Sequence, residues 1–271
     1  MCPNCRAFIT ISDRVCPYCE AQIGPRAVDL RPNAFAASFL PSANLSAIIV
    51  LALNFTFFLV QLGFSHNLSG PSIDVDLALG AAASDYAFHG QWWRLITAGF
   101  LHGGWIHLLM NSWSLFILVT EVEQFYGTNR LLVAYVFSTF TGFWLACRMT
   151  PHTPILGASC AAFGLMGIML AMGIGQRADP LTQAVRRHYG QWLVLGLVMS
   201  INGGISLSGH VGGLIGGFVI GIIAGRPGHP KSPREMFWKI AAIASVAFAV
   251  LCGYLDFAFV SQLLKHSTRS M

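Results

Sequence analysis

The chain has 271 residues, of which 55% are hydrophobic and only 10% charged, whereas about a quarter are charged in an ordinary soluble domain. This argues against a soluble globular protein, and the net charge of +5 suggests a nucleic-acid partner only until the charges are placed along the chain.

Residues 1–24 read as a separate unit. Cys2-Pro-Asn-Cys5 is followed, ten residues later, by Cys16-Pro-Tyr-Cys19. Two C-x-x-C pairs across a short loop supply four thiolates that can converge on one Zn²⁺, and a four-cysteine set leaves no open position, so such a zinc is structural. A disulfide reading needs an oxidising compartment instead. A Pro-containing linker is expected over 25–43. No apolar run with a small-residue cleavage site precedes Asn44, so no cleavable signal peptide is expected and the first apolar span would direct insertion.

From Asn44 onward, apolar runs near twenty residues recur, which matches a hydrocarbon core of roughly 30 Å at about 1.5 Å per residue. Flanking charges and Pro/Gly breaks place seven spans at about 44–63, 98–120, 130–149, 157–175, 190–206, 208–225 and 239–262. The glycine-interrupted fifth span is the least regular. With a cytoplasmic N-terminus, twelve of the sixteen Lys and Arg residues fall on inside segments, leaving Arg94, Arg148, Lys265 and Arg269 outside. That bias obeys the positive-inside rule. The basic balance is therefore topological, and no nucleic-acid partner is expected. The outside segment from Phe64 to Thr97 is long and carries Trp92, Trp93 and Arg94, which suits an interfacial position. Cys147 and Cys252 read as small apolar packers. Asp256, Glu121 and Glu123 have no partner legible in the sequence, and snorkelling or helix-end capping accounts for the two glutamates.

Polar groups inside membrane spans are costly and mark function. Three clusters stand out. The second span opens with His102-Gly-Gly-Trp-Ile-His107-Leu-Leu-Met-Asn111, the fourth with Gly157-Ala-Ser159-Cys160, and the sixth with Ser208-Gly209-His210. His107 and Asn111 are four apart and share a helix face. On a continuous helix His102 would lie about 140° from His107, which implies a different task. Ser159, Phe163, Gly167 and Ala171 form one stripe, and His210, Gly213, Gly217 and Gly221 another. Small-residue stripes allow close helix approach.

Spans two, four and six run in the same direction, so His107, Ser159 and His210 begin their helices at similar depth. Packing of spans four and six would bring the serine hydroxyl to an imidazole able to take its proton. The His107 ring, the Asn111 amide and the Ser159 backbone N–H could stabilise the oxyanion. No carboxylate lies at matching depth near His210, so a dyad is expected rather than a triad. A zinc-peptidase reading of His102 and His107 fails on spacing, which is five rather than four, and on the missing Glu.

The His102-x4-His107-x3-Asn111, Gly157-x-Ser159 and His210-x2-Gly213-x3-Gly217 runs together resemble the rhomboid protease signature in order and spacing. Trp93-Arg94, and Glu123 with Gly127, resemble further family features. The likeness spans roughly 44–225. It implies an all-α polytopic membrane protein with a rhomboid-like six-helix core over 44–225. Residues 226–271 would add a loop, a seventh transmembrane helix and a short tail, behind the zinc-ribbon-like domain. It also implies Ser159 as nucleophile, His210 as base, and His107 and Asn111 as oxyanion donors. Phe163 would pack beside His210, and His102 and Gly157 would support the site. Substrates would be membrane proteins cut in or near a transmembrane helix, with membrane lipid as surroundings, no cofactor for catalysis, and a protein partner for the zinc knuckle. The expected location is a bacterial inner membrane. The other reading kept open is a catalytically weak or inactive relative that binds transmembrane helices. One departure bears on this: the family usually has glycine after the serine, whereas Cys160 here is expected to narrow the room beside the nucleophile.

Overall fold

The computed structural model describes residues 4–5, 15–22, 44–172, 180–201, 206–225, 227–229 and 232–269. The chain divides into two units, 1–42 and 43–271. In the first, Val15 and Gln22 pair as an isolated antiparallel bridge around a tight turn. There the Cys16 carbonyl accepts from Glu20 N–H at 2.9 Å and the Cys16 N–H donates to Ala21 at 3.0 Å. Cys2 and the linker expected over 25–43 lie outside the described residues.

The second unit is all-helical among its described residues. Its elements are α1 (Leu45–Ser65), α2 (Ile73–Ala78), α3 (Ser84–Ala87), α4 (Arg94–Thr97), α5 (Trp105–Met149), α6 (Ser159–Ala171), α7 (Pro180–Ile201), α8 (Leu207–Ala224) and α9 (Pro233–Arg269). A 3₁₀ turn, Ala98–Phe100, follows α4. Within these, α1, α5, α8 and residues 233–265 of α9 are long and apolar enough to cross a membrane.

A straight helix of 45 residues would run about 68 Å. Yet both ends of α5 meet the same region: His107 packs on Gly157, and Cys147 shares a core cluster with Ile155 and Cys160. The helix folds back at Gly127, whose φ of 77° and ψ of 161° suit glycine alone. Its two arms are the expected second and third spans. The seven expected spans thus map onto seven helical segments, with the boundaries of several shifted. The fifth starts at Pro180, ten residues before its expected start. The second starts only at Trp105, because the chain is already extended at Leu101 and Gly104 at φ 157° admits no helix. His102 therefore precedes the helix, and the rotation angle expected for it does not apply.

The first arm of α5, α6 and α8 run parallel. At one end His107 lies on Gly157, and Cys160 on Gly209. At the other, Tyr126 Oη donates to the Ile168 carbonyl at 3.0 Å, and Gly221 meets Ala171. Helix α6 is central, every residue from Cys160 to Met169 being buried. Its contact with α8 is backbone against backbone. A β-carbon on Gly217 would overlap the Gly164 carbonyl oxygen, and one on Gly213 that of Cys160.

The acidic residues without legible partners all have one. Glu123 Oε1 accepts from Ser46 at 2.7 Å and Thr128 at 2.6 Å, joining α1 to the bend of α5. Glu121 accepts from the Tyr189 hydroxyl on α7. Asp256 accepts from the Trp93 indole at 3.2 Å, docking α9 onto the segment before the site. At the far end, Arg130 forms a two-pronged pair with Glu235 at 2.7 Å for each prong, tying α9 to the second arm of α5. Ser232-Pro233-Arg234-Glu235 starts α9 with a hydroxyl cap and Pro at the first helical position.

Candidate active site

The segment between α1 and α5 is an ordered platform. Arg94 is 1% exposed and donates to the Leu77 and Ala81 carbonyls at 2.7 and 2.9 Å and to the Gln91 amide oxygen at 2.6 Å. These bonds hold the turn before Ala82, which bridges Ile155 in antiparallel fashion. Two residues on, Gly157 N–H donates to Ala98 at 2.9 Å. The loop delivering Ser159 is thereby fastened to the platform.

Gly157 has a φ of +118°, and a β-carbon there would lie 2.7 Å from His107 Nε2 and 3.6 Å from Asn111 Nδ2. Glycine thus meets both a backbone and a space requirement. His107 Nδ1 accepts from Gly103 N–H at 3.3 Å, so the neutral ring carries its hydrogen on Nε2. Both the Nε2–H and the Asn111 amide therefore flank Gly157 as donors. His102 is fully buried, with its ring edge-on to His107 at 5.2 Å. Gln61 brackets its backbone, accepting the N–H at 3.0 Å and donating to the carbonyl at 3.2 Å. The same amide donates to Asp76 at 2.6 Å. Burial raises the Asp76 carboxyl to about 6, partly opposed by that hydrogen bond.

Ser159 is the first residue of α6 and half-buried, where the helix N-terminus favours negative charge. His210 is the fourth residue of α8, which Ser206 caps by accepting from Gly209 N–H at 3.1 Å. The His210 ring stacks on Phe163 at 3.9 Å and 13°. Among the described residues no hydrogen bond joins Ser159 Oγ to His210; such bonds are often long before substrate binds. The partner that sequence reasoning missed is Ser200 of α7, whose hydroxyl lies 2.6 Å from His210 Nδ1 and donates to the Gly196 carbonyl at 2.7 Å. A serine ten residues ahead of the histidine, on another helix, carries no local signal.

The Cys160 side chain is directed into the packed interior. It is 2% exposed and fills the space left by Gly142 and Gly209, where β-carbons would lie 2.8 and 3.1 Å from its sulfur. Cys147 and Cys252 are buried packers, as expected. In the first unit, the sulfurs of Cys5, Cys16 and Cys19 all lie within 4.8 Å of one another. The Ala21 backbone N–H holds the Cys19 thiol below its ordinary range. Convergent soft sulfur donors with N–H groups aimed at them fit a thiophilic ion.

These features define a polytopic helical membrane protein whose serine, histidines and asparagine gather at one end of a glycine-packed bundle. Residues 89–227 match the Rhomboid domain family. The chain is 30% identical over 227 residues to RHOMBOID-like protein 5 of Arabidopsis thaliana, covering 75% of this chain and 72% of that one. It is 31% identical over 210 residues to rhomboid protease GluP of Bacillus subtilis, covering 76% of this chain but only 38% of that longer protein. Rhomboid-like protease 3 of Toxoplasma gondii is 29% identical over 180 residues, 64% of this chain and 68% of that protein. The chain belongs to the rhomboid family.

Proposed function

We propose that the protein is an intramembrane serine endopeptidase acting on transmembrane helices of membrane proteins. The observation that carries this reading is the grouping at Gly157: two polar hydrogens, from His107 and Asn111, flank the turn leading to Ser159. In the proposed reaction Ser159 Oγ attacks the scissile carbonyl while His210 Nε2 takes its proton. The oxyanion accepts from His107 Nε2–H, Asn111 Nδ2–H and the Ser159 backbone N–H. His210 then protonates the leaving amine, and water, deprotonated by the same ring, releases the acyl group. Phe163 holds the imidazole plane, and His102, held through its backbone by Gln61, backs His107. The proposed orientation has the N-terminus cytoplasmic and the site toward the opposite face, in a bacterial inner membrane.

The test is labelling by a serine-directed fluorophosphonate together with cleavage of a model transmembrane substrate. Wild type should label and cut, Ser159→Ala should do neither, and Cys160→Gly should still cut because the Cys160 side chain faces away from the site. Equal labelling and equally low cleavage by wild type and Ser159→Ala would replace this reading with that of a non-catalytic helix-binding relative.

For the first unit we propose a structural zinc held by Cys5, Cys16 and Cys19 with Cys2 as fourth ligand, presenting a surface to a protein partner. Purified protein should carry one zinc per chain, and Cys16→Ser should lose it while the membrane unit stays folded. Absence of stoichiometric zinc, or free reaction of Cys16 with a thiol probe, is the contrary result.

A further inference from the structure

We propose that Ser200 sets the tautomer of His210 and so acts as a positioning residue for proton transfer; this rests on the protease reading above. The Ser200 hydroxyl has one hydrogen and two close polar neighbours, the Gly196 carbonyl at 2.7 Å and His210 Nδ1 at 2.6 Å. Donating the hydrogen to the ring would leave two oxygens facing each other at 2.7 Å with no proton between them. The hydrogen therefore goes to Gly196, and the hydroxyl oxygen accepts from Nδ1–H. That places the basic lone pair on Nε2, the nitrogen a serine nucleophile needs.

The surroundings hold this arrangement. Ser200 is 5% exposed and His210 equally buried, so water does not compete readily for either atom. Phe163 covers one face of the imidazole. Gly196, one helical turn before Ser200, leaves room for the Phe163 ring, since a β-carbon there would lie 2.8 Å from Phe163 Cζ. One face of α7 thus grips the stacked Phe163–His210 pair at two points. His107 and Asn111, Ser159 and Phe163, and His210 come from α5, α6 and α8 respectively; Ser200 adds α7 to them. Ser200 fills the place that a carboxylate holds in a Ser-His-Asp triad, without bringing a buried charge into the membrane.

The experiment uses the full chain with ¹⁵N-labelled histidine, reconstituted in bilayers, as wild type, Ser200→Ala and Ser200→Thr. His210→Asn identifies the His210 signals. In wild type the neutral ring should show hydrogen on Nδ1. Ser200→Ala should redistribute it toward Nε2 and lower kcat about ten-fold with KM little changed, the scale of one lost hydrogen bond. Ser200→Thr, which keeps the hydroxyl, should restore both. An unchanged tautomer in Ser200→Ala, or a folded Ser200→Thr that restores neither signal nor rate, overturns the proposal. The NMR readout is independent of turnover. If wild type and Ser159→Ala cut equally, the protease reading fails while the tautomer result is still decided.

Discussion

Replacing His210 with alanine is expected to lower cleavage of a transmembrane substrate by about 10⁵-fold, to the level left by oxyanion stabilisation and binding. The size follows from the lack of a substitute base among the described residues. Of the two other imidazoles at the site, His102 is fully buried, and His107 Nδ1 already accepts from Gly103 N–H. Its remaining nitrogen carries hydrogen and can only donate. Asp76 is engaged with Gln61, and Asp256 with Trp93. His210→Asn separates chemistry from packing, because it keeps a planar polar group beneath Phe163 and should fold like wild type while remaining as inactive as the alanine variant. Turnover within ten-fold of wild type in either variant would remove His210 from the mechanism.

Gly217→Leu is expected to be the most destabilising single substitution in the bundle, by more than about 4 kcal/mol, the range reserved for severe overpacking. Even the first carbon of a side chain there would overlap the Gly164 carbonyl. The obstacle is helical backbone, which cannot swing aside as a side chain could. Separating α6 from α8 would also draw Ser159 away from His210, so activity and stability should fall together. Gly253 on α9 provides the control. Nothing lies within 4 Å of a β-carbon there, so Gly253→Ala should be neutral or stabilising by up to about 1 kcal/mol. Unfolding midpoints of the reconstituted variants measure both, and similar midpoints for Gly217→Leu and Gly253→Ala would sink the argument.

Helix count and parallel packing were legible because glycine stripes, polar clusters and apolar length each report one helix at a time. Gly213 and Gly217 announce close approach without naming the partner; direction of crossing supplies it. Where the sequence misled, a longer-range effect was at work. Ala98 to Leu101 are apolar enough to look like the start of a span, but the Gly103-Gly104 pair breaks the helix and leaves His102 outside it. Cys160 looked obstructive because its neighbour Ser159 is reactive, yet Gly142 and Gly209, far away in sequence, receive its side chain. Ser200 was invisible for a related reason. A serine in a membrane helix ordinarily bonds the carbonyl four residues back, and Ser200 does so. Its second bond belongs to a different helix. Arg94, Gln61 and Glu123 likewise owe their roles to contacts whose sequence separations no periodicity encodes.

The shortness of α6 bears on membrane leakage. Its 13 residues rise about 20 Å, some 10 Å less than the hydrocarbon thickness. Neighbouring helices enclose it, every residue from Cys160 to Met169 being buried. Below Ser159, α6 and α8 meet backbone to backbone at Gly164 and Gly217. The proposed hydrolysis needs water at the serine, and Ser159, half-buried at the first residue of α6, would meet it from one aqueous side. The same backbone contact that positions the proposed nucleophile would thus also serve as an electrical seal, letting the proposed water-consuming reaction run within a membrane that still holds its ion gradients.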